Sequence, residues 1–498
     1  MTFNGLKIPA FDEKKYREDK ENRHASVVNI YEATKNTFDA YVSYFEKNGA
    51  EKREVHENKN HSYAAFSARE GAIFLNFFAR TEELYAVIEE KSNYFSYSDR
   101  ILPRICDPEI TQVTLIDFGL SYVVRLSDGR FIIIDGGNEH DFDSDALLKT
   151  LKEGSVNGEI DIAAWIFTHP HLDHFHCFLS FMDRFYGVEK FEVEKFIFNF
   201  PEVDDSYHYP ALQRPSDKAT DTVPRMHGHI EKLAAPIYTA HTGQKYRIGD
   251  AECEVLASLD DSIGIAPDVT PDVNVTSLVL RMKLGGEVIL WAADSYFEYI
   301  KFSEKYGEYL KSDILQVPHH GFGSARPIGE IEAYKFIKPS VCLMPVCDYD
   351  AYTSFCTHVE SSRYLMLDAG IDELITGDTQ RALTLPYTAR ADGKELINKN
   401  FAEGLAKAGG YEWEYVLAPD SEPMFEIRNV THRPSVLIAE FFDADEILLD
   451  TVTLEMRGNF KTAVNVPKGA RRAHFDCTSP LWVTHETLEP TKRITTNV

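Results

Sequence analysis

The segment of the sequence with the clearest chemical potential is residues 168–174, which reads Thr-His-Pro-His-Leu-Asp-His. It follows the apolar run DIAAWIF, which predicts a buried strand, and it places His169, His171, Asp173 and His174 within six residues. Imidazole nitrogens and carboxylate oxygens are the ligands that zinc, iron and manganese share. We therefore predict a metal-binding loop in which His169 and His171 face one ion. Asp173 and His174, just inside the following helix, can turn toward a second.

This pattern resembles the His-x-His-x-Asp-His signature of the metallo-β-lactamase superfamily. Three further segments agree with that family in order and context, namely FIIIDGG, EVILWAADS and SDILQVPHHGFGS. The resemblance covers roughly residues 108–388 and neither terminal region. It implies a four-layer αββα sandwich, and it implies a metal-dependent hydrolase.

The resemblance also implies roles for later residues. Asp135 corresponds to an acidic position that orients a ligand loop, and Asp294 corresponds to the aspartate that bridges two metals. His319 is expected to be the last ligand of the second metal, with His320 as a substrate contact, although these two roles are interchangeable on the sequence alone. The implied cofactor is a pair of divalent ions, zinc in the first place, with manganese or iron as alternatives.

The turn Val-Pro-His319-His320-Gly, together with Asn274 and Ser277, is similar to the hydrolase domain of competence-type (ComEC-like) DNA-uptake proteins. It is also similar to bacterial phosphorylcholine esterases, and both resemblances imply phosphoester chemistry. The sequence departs from many superfamily members because residues 260–276 contain no histidine. The first metal is therefore one ligand short, and a single-metal site stays an alternative.

Several groups could complete that ligand set. Water, His320 or a histidine from the insertion after residue 201 would serve, and the candidates there are His241 and the pair His227 and His229. His176, by contrast, is expected to be an ordinary helix residue, given its place within the helical run.

The predicted mechanism uses a water molecule activated by metal, since a bound divalent ion lowers the pKa of its water toward ~7. Asp173 is a candidate to orient that water or take its proton, and His320 is a candidate proton donor to the leaving group. The leading substrate is a phosphodiester or related phosphoester of a small or short-chain molecule. Two alternatives stay open: a lactone, thioester or β-lactam hydrolase, and a non-catalytic metal-binding, regulatory or di-iron redox protein.

The composition limits the classes of molecule that the protein is expected to bind. The formal net charge of −27 argues against long nucleic acid, which proteins usually meet with a basic surface. A small-molecule or short anionic substrate fits better, and Arg214, Lys218 and Arg225 of the insertion either receive it or are ordinary surface charges. No apolar run suits a membrane span or a secretory signal, so we expect a cytoplasmic protein. Seven scattered cysteines argue against a disulfide framework.

Three regions differ in their pattern. Residues 1–105 predict a small α+β region, with a helix over 37–49 and strands at SYAAFSA, AIFLNFFA and LYAVIEE. Residues 106–390 alternate strands with helices and form the predicted hydrolase domain. Within it, Asp128-Gly129 and Gly285-Gly286 each lie between two strand-like runs, which predicts two β-hairpins.

The last part of the chain changes character. Residues 391–408 predict a linker, and residues 409–498 predict a β-rich domain from six strand-like runs, folded as a small sandwich or a meander. This C-terminal domain could mediate homo-oligomer formation.

Overall fold

The computed structural model describes the greater part of the 498 residues. The described residues are 2–3, 6–7, 9, 16–20, 25–68, 71–89, 95–99, 101–115, 119–203, 219–262, 272–321, 328–346, 366, 369–377, 381–390, 411–418, 424–428, 435–456, 461–477, 482–484 and 492–495. The chain forms two compact units, Met1–Pro345 with His358–Lys394, and Val346–Thr357 with Glu395–Val498. No helix in the described part of the chain is long and apolar enough to cross a membrane.

The N-terminal part of the first unit is an antiparallel sheet packed against one helix. The sheet has the strand order β3-β4-β8-β7-β6-β5. Phe38, Tyr41 and Phe45 of the helix are buried against it, because their three- and four-residue spacing places them on one helical face. The elements are β1 (Thr2–Phe3), β2 (Leu6–Lys7), β3 (Tyr16–Lys20), β4 (Ala25–Ile30), α1 (Lys35–Lys47), β5 (Glu51–Glu57), β6 (His61–Ala68), β7 (Gly71–Phe78), β8 (Glu83–Glu89) and β9 (Tyr97–Ser98).

The rest of the first unit alternates strands and helices. Its elements are β10 (Glu109–Gln112), β11 (Ser121–Arg125), β12 (Phe131–Asp135), α2 (Asp141–Gly154), β13 (Asp161–Ile166), α3 (Leu172–Phe185), β14 (Glu192–Val193), β15 (Phe196–Phe198), α4 (Ala219–Leu233), β16 (Ile237–Thr239), β17 (Lys245–Ile248), β18 (Ala251–Ala257), α5 (Leu259–Ser262), β19 (Val279–Leu284), β20 (Glu287–Trp291), α6 (Phe302–Tyr306), β21 (Ile314–Gln316), α7 (Ile328–Ile337), β22 (Val341–Met344), β23 (Glu373–Thr376) and β24 (Arg381–Thr384). Short 3₁₀ turns cover Val273–Thr276, Gly307–Leu310 and Pro318–Gly321.

These strands form two sheets that face each other. Sheet I has the order β16-β15-β13-β12-β11-β10-β24, and sheet II has the order β23-β22-β21-β20-β19-β18-β17-β9. The apolar layer between them includes Ile132 and Ile166 from sheet I and Val255 and Trp291 from sheet II, all fully buried or nearly so. Because this layer fixes the two sheets against each other, it also fixes the strand ends from which the site residues project.

Helices cover the outer faces. On sheet I, α2, α3 and α4 share a second apolar cluster with Trp165 and Phe167. On sheet II, Tyr306 of α6 donates a hydrogen bond to the Leu256 carbonyl oxygen at 2.7 Å, and α7 connects the parallel strands β21 and β22. The arrangement is mixed α/β and agrees with the predicted αββα sandwich.

The second unit is β-rich, as predicted. Its strands are β25 (Tyr411–Val416), β26 (Met424–Arg428), β27 (Ser435–Phe442), β28 (Leu448–Met456), β29 (Lys461–Asn465), β30 (Arg472–Cys477), β31 (Trp482–Thr484) and β32 (Lys492–Thr495). They form a five-stranded sheet, β28-β27-β30-β25-β32, and a three-stranded sheet, β29-β26-β31. Phe425, Phe441 and Phe475 lie in one buried cluster that draws on both sheets. The predicted linker, residues 391–408, lies outside the described residues.

The secondary-structure predictions are confirmed where the apolar pattern of the sequence is clear. Both hairpins are confirmed, because β11 pairs antiparallel with β12 and β19 with β20. The predicted N-terminal helix is confirmed two residues earlier than expected, and the three strands that follow it are confirmed as β6, β7 and β8. The charged edge strand β5 was not predicted, since EKREVHE lacks an apolar run. The division at residue 105 stays a prediction.

One buried ion cluster joins the N-terminal sheet to the sandwich. His241 is 1% exposed, and its Nε2 lies 3.1 Å from Glu89 Oε1 while its Nδ1 lies 3.1 Å from Asp260 Oδ1. Phe74 of β7 stacks on its ring with the centroids 4.0 Å apart. Burial alone would lower the pKa of His241, but the two carboxylates outweigh burial and raise it to about 10.

This cluster predicts a pH-dependent stability. The folded-state pKa of His241 lies above the ordinary value of 6.5, so its stabilisation is complete below 6.5 and is lost as the pH rises through about 10. We expect His241→Gln to destabilise the first unit by about 3 kcal/mol near neutral pH, because it leaves two carboxylates unpaired. Thermal unfolding of both proteins at several pH values measures this. The difference between them should shrink toward the alkaline end, and a difference that stays constant contradicts the assignment.

Candidate metal centre

The loop that carries the predicted ligands connects the end of β13 to the start of α3. His169 lies in the loop, His171 occupies the N-cap position of α3, and Asp173 and His174 lie in its first turn. A carboxylate in that first turn is favoured by the partial positive charge of the helix N-terminus. The four side chains lie in the loop and the helix start as the sequence predicts, and their role as metal ligands stays a prediction.

Asp135 holds this loop in place from the end of β12. Its Oδ1 accepts a hydrogen bond from the Thr168 backbone N–H at 2.7 Å, and its Oδ2 accepts one from the Thr168 hydroxyl at 2.6 Å. Asp135 Oδ2 also lies 2.8 Å from His174 Nδ1. The Nδ1–H of His174 therefore points to Asp135, and Nε2 is left to face the centre of the site.

Four buried side chains converge on one point. Asp173, His174, Asp294 and His320 each place a nitrogen or oxygen atom within 4.8 Å of the others. His174 Nε2 lies 3.2 Å from Asp294 Oδ2 and 3.3 Å from His320 Nε2. His320 Nε2 lies 3.0 Å from Asp173 Oδ2 and 3.2 Å from Asp294 Oδ2. Two imidazoles and two carboxylates form a donor set that suits a divalent metal.

A second group adjoins the first. His169, His171 and Asp294 also place ligand atoms within 4.8 Å of one another. His169 Nε2 lies 3.0 Å from His171 Nδ1 and 3.9 Å from Asp294 Oδ2. Asp294 belongs to both groups, which is the arrangement expected of a carboxylate between two metal positions. Among the residues that the structure describes, these are the groups with metal-ligand spacing.

The charges of the first group depend on each other. Burial raises the pKa of Asp294, but His174 and His320 outweigh burial and hold that pKa well below its ordinary value. Burial lowers the pKa of His320, but Asp294 and Asp173 outweigh burial and raise it to about 9. Each buried carboxylate thus requires a positive charge nearby, which either protons on the imidazoles or a bound cation can supply.

The donor atoms fit a metal in a further respect. Asp294 is 2% exposed, and its Oδ1 is buried without a hydrogen-bond partner among the described residues. An ionised oxygen left in that state costs free energy unless a cation neutralises it. The unpaired atom therefore supports a cation at this position.

Strained backbone positions the ligands that follow sheet II. Ala293, His319 and His320 have φ angles of 50°, 49° and 53°, in the left-handed region that these residue types seldom adopt. Gln316, fully buried at the end of β21, supports both turns. Its side-chain oxygen accepts from the Ala293 N–H at 2.6 Å, and its side-chain nitrogen donates to the Val317 carbonyl at 2.6 Å. Sequence reasoning missed Gln316, although a glutamine in the apolar run SDILQVP was a usable signal.

The two adjacent histidines take different positions. His320 is 1% exposed and lies in the first group, whereas His319 is half-buried and is in neither group. His319 Nε2 lies 3.2 Å from Asn274 Nδ2, and its ring packs edge-on against Tyr296 with the centroids 5.4 Å apart. This geometry favours His320 as the metal ligand and His319 as the substrate contact. The sequence left this exchange of roles open.

The other candidate histidines lie elsewhere. His241 is held between Glu89 and Asp260, and His229 Nε2 lies 3.1 Å from Asp183 Oδ1 on α3. His227 packs against Phe198, and His176 is a buried residue of α3 beside Phe175. None of the four is in either ligand group.

The structure describes one of the three cationic side chains that the sequence suggests for substrate binding. Arg225 of α4 forms ion pairs with Glu139 and Asp183, so its charge is already compensated. Arg214 and Lys218 lie outside the described residues.

Asp272 is a further residue that sequence reasoning did not single out. It comes from the interval that lacks the expected histidine, and its Oδ1 lies 3.2 Å from His171 Nε2. Burial lowers the pKa of His171, but the hydrogen bond and charge of Asp272 outweigh burial and raise it. With Nε2 directed to Asp272, His171 presents Nδ1 to His169 within the second ligand group. An aspartate at this place in the chain was visible in the sequence, but its distance from His171 was not.

A comparison with protein-family models agrees with this description. Residues 116–320, less than half of the chain, match the family model described as the metallo-beta-lactamase superfamily, so this segment is a metallo-beta-lactamase superfamily domain. The match spans the loop ligands, Asp294 and both adjacent histidines. No curated protein matches the chain.

Among solved structures, the chain is similar to the crystal structure of a beta-lactamase domain protein from Burkholderia ambifaria. The identity is 11% and the TM-score is 0.20, and the matched region covers 48% of this chain. The chain spans about half of that relative, 54% of its length.

The Asp272 contact predicts an effect on metal affinity. Hydrogen-bond partners of metal ligands contribute ~10- to 100-fold to affinity, so Asp272→Ala should weaken metal binding by the group of His169, His171 and Asp294 by that factor. Asp272→Asn keeps an acceptor for His171 Nε2 and should lose less. Competition with a chromogenic zinc chelator measures both variants against Asp145→Ala, an exposed aspartate of α2. Unchanged affinity in Asp272→Ala contradicts the orienting role.

Proposed function

We propose that this protein is a hydrolase that uses two divalent metals, zinc in the first place, to cleave a phosphodiester or related phosphoester of a small or short-chain substrate. The observation that carries the proposal is the sharing of Asp294 between two groups of imidazole ligands. A vestigial site would have no reason to keep two carboxylates and four imidazoles converging there, since buried charges are costly when they are not compensated. The superfamily match over residues 116–320 supports hydrolysis and leaves the substrate open.

We assign the ligands by the atoms that converge. His169 and His171 would hold the first metal, Asp173, His174 and His320 would hold the second, and Asp294 would be shared by both. His320 is placed among the ligands rather than at the substrate, and His319 takes the substrate-facing role. Metals held in this way supply a Lewis acid and lower the pKa of a bound water toward ~7.

The protein's own residues divide the remaining work. Asp173 can orient the attacking water and accept its proton, because its Oδ2 lies at the centre of the first group. His319 is half-buried at the open side of the site, and Asn274 lies within hydrogen-bond distance of its Nε2. The side chain of His319 is therefore held where it can contact a leaving group or a phosphoryl oxygen.

The choice of a phosphoester is supported by the same neighbourhood. Asn274 donates a hydrogen bond to the Tyr296 hydroxyl at 3.1 Å, and its Nδ2 lies 3.2 Å from His319 Nε2. The two features of the competence-type resemblance, Asn274 and the double histidine, therefore lie at the same place in the site. Half-buried His171, Asp272, Tyr296 and His319 mark the side from which substrate approaches. The imidazole of His319 and the hydroxyl of Tyr296 offer hydrogen-bond donors to the oxygens of an anionic ester.

Turnover of bis(p-nitrophenyl) phosphate tests the proposal. The protein loaded with zinc or manganese should hydrolyse it, and chelation should abolish the activity. Asp173→Ala should lower kcat by ~10³-fold, because it removes both a metal ligand and the proton acceptor. Asp145→Ala is the matched control and should keep full activity.

Two results would contradict the proposal in different ways. A fully metallated protein that is inert toward phosphoesters but cleaves a lactone, a thioester or nitrocefin would move the function to acyl substrates. A metallated protein that is inert toward both classes would favour a binding or redox role.

A further inference from the structure

A large cavity opens between the edge strand β5 of the N-terminal sheet and the outer face of sheet II. Its volume is about 1010 Å³, at the upper end of the size range of small-molecule pockets. None of the residues that line it belongs to the metal centre. Its floor is formed by β17, β18 and β19, and Tyr309 forms part of its wall.

The floor carries two rows of alternating charge. In one row Lys245, Glu254 and Arg281 are cross-strand neighbours, and in the other row Arg247, Glu252 and Lys283 are. Each row therefore reads positive, negative, positive. The floor has four cationic and two anionic side chains, in a protein whose formal net charge is −27.

Both glutamates of the floor are already paired. Glu252 Oε1 lies 2.6 Å from Arg247 Nη2. Glu254 Oε2 accepts a hydrogen bond from the Tyr309 hydroxyl at 2.5 Å, and its Oε1 lies 3.9 Å from Lys245 Nζ. Among the described residues, Arg281 and Lys283 have no carboxylate within ion-pair distance. The two cations of β19 therefore provide the positive charge that the floor leaves uncompensated.

Arg281 is also held in a fixed orientation. Its guanidinium carbon lies 4.8 Å from the centroid of the Tyr309 ring, which is the geometry of a cation–π contact. Its Nε is buried and has no hydrogen-bond partner among the described residues. Arginine binds phosphate or carboxylate through two parallel N–H groups, so a guanidinium held in place by Tyr309 is suited to an anion.

We propose that this cavity is a second ligand site that binds a small phosphate monoester, with the phosphate group on Arg281 and Lys283. Their side chains project from the same face of β19 two residues apart, a separation of about 6.8 Å along the strand. A doubly charged phosphate fits two cations better than a single carboxylate does. The remaining volume accommodates the organic part of the ligand. The site is independent of the hydrolytic function proposed above.

Isothermal titration of the full-length, metal-loaded protein with inorganic phosphate tests the proposal. Wild type should bind at millimolar or lower concentration, and Arg281→Gln/Lys283→Gln should bind at least ~10-fold more weakly. The matched control Lys149→Gln/Lys152→Gln removes two exposed lysines of α2 and should bind like wild type. Phosphate should also raise the unfolding temperature of wild type but not of the double variant, because a ligand of the folded state stabilises it.

Two further variants separate the remaining explanations. Arg281→Lys keeps the charge but cannot form two parallel hydrogen bonds, so it should bind several-fold more weakly even if the double variant folds poorly. Asp294→Asn disables the metal centre and should retain phosphate binding. Binding that is lost in Asp294→Asn and kept in the Arg281 variants would assign the anion to the metals and overturn the proposal. Absence of binding to wild type at millimolar phosphate would overturn it as well.

Discussion

The carboxylate of Asp294 is buried between two groups of imidazoles, and its charge sets the condition that the rest of the site has to meet. One of its oxygens lies 3.2 Å from both His174 Nε2 and His320 Nε2, and the other has no hydrogen-bond partner among the described residues. Such a group is stable only beside positive charge. Without a cation, the pKa of His320 rises to about 9, so the imidazole has to supply that charge itself. With two cations, the same atoms become a ligand set for metals.

Meeting this condition requires ligands from distant parts of the chain to be held at short range. In sheet I, the loop that follows β13 carries ligands, and Asp135 fixes this loop through Thr168 and His174. In sheet II, Asp294 follows the end of β20 and His320 lies in the turn after β21. Gln316 forms hydrogen bonds with the backbone of both turns. Positive φ angles at Ala293 and the two histidines cost about 1–3 kcal/mol each, which the apolar layer between the sheets offsets. The sandwich thus acts as a rigid frame for a strained site.

The sequence predicted the parts of this site that depend on local order. The ligands between residues 169 and 174 are close in the chain, so their approach needed only a strand, a loop and a helix start. The hairpins and the strands of the β-rich unit followed from clear apolar patterns, whereas the fold class followed from the resemblance to the metallo-β-lactamase superfamily. Contacts between residues that are distant in the sequence could not be predicted from it. The choice of His320 over His319 depends on backbone angles, and the approach of Asp272 to His171 depends on how a distant loop returns. The charge rows of the cavity depend on strand register.

The N-terminal sheet contributes to the first unit in two ways that composition alone did not suggest. Glu89 and Phe74 hold His241 beside Asp260, so a histidine that resembled a spare metal ligand instead joins two sheets. The edge strand β5 closes one side of the cavity on sheet II. The N-terminal sheet therefore shapes a pocket and stabilises the sandwich that carries the candidate metal centre.

Metal content measured by inductively coupled plasma mass spectrometry tests the central claim most directly. Wild type, purified and then reconstituted with zinc, should hold about two ions per chain, and His320→Ala should hold about one, because it removes a ligand of the second position. His319→Ala is the matched control at the adjacent residue and should keep about two. Equal content in wild type and His320→Ala, or no metal retained by wild type after reconstitution, would contradict a centre built around Asp294.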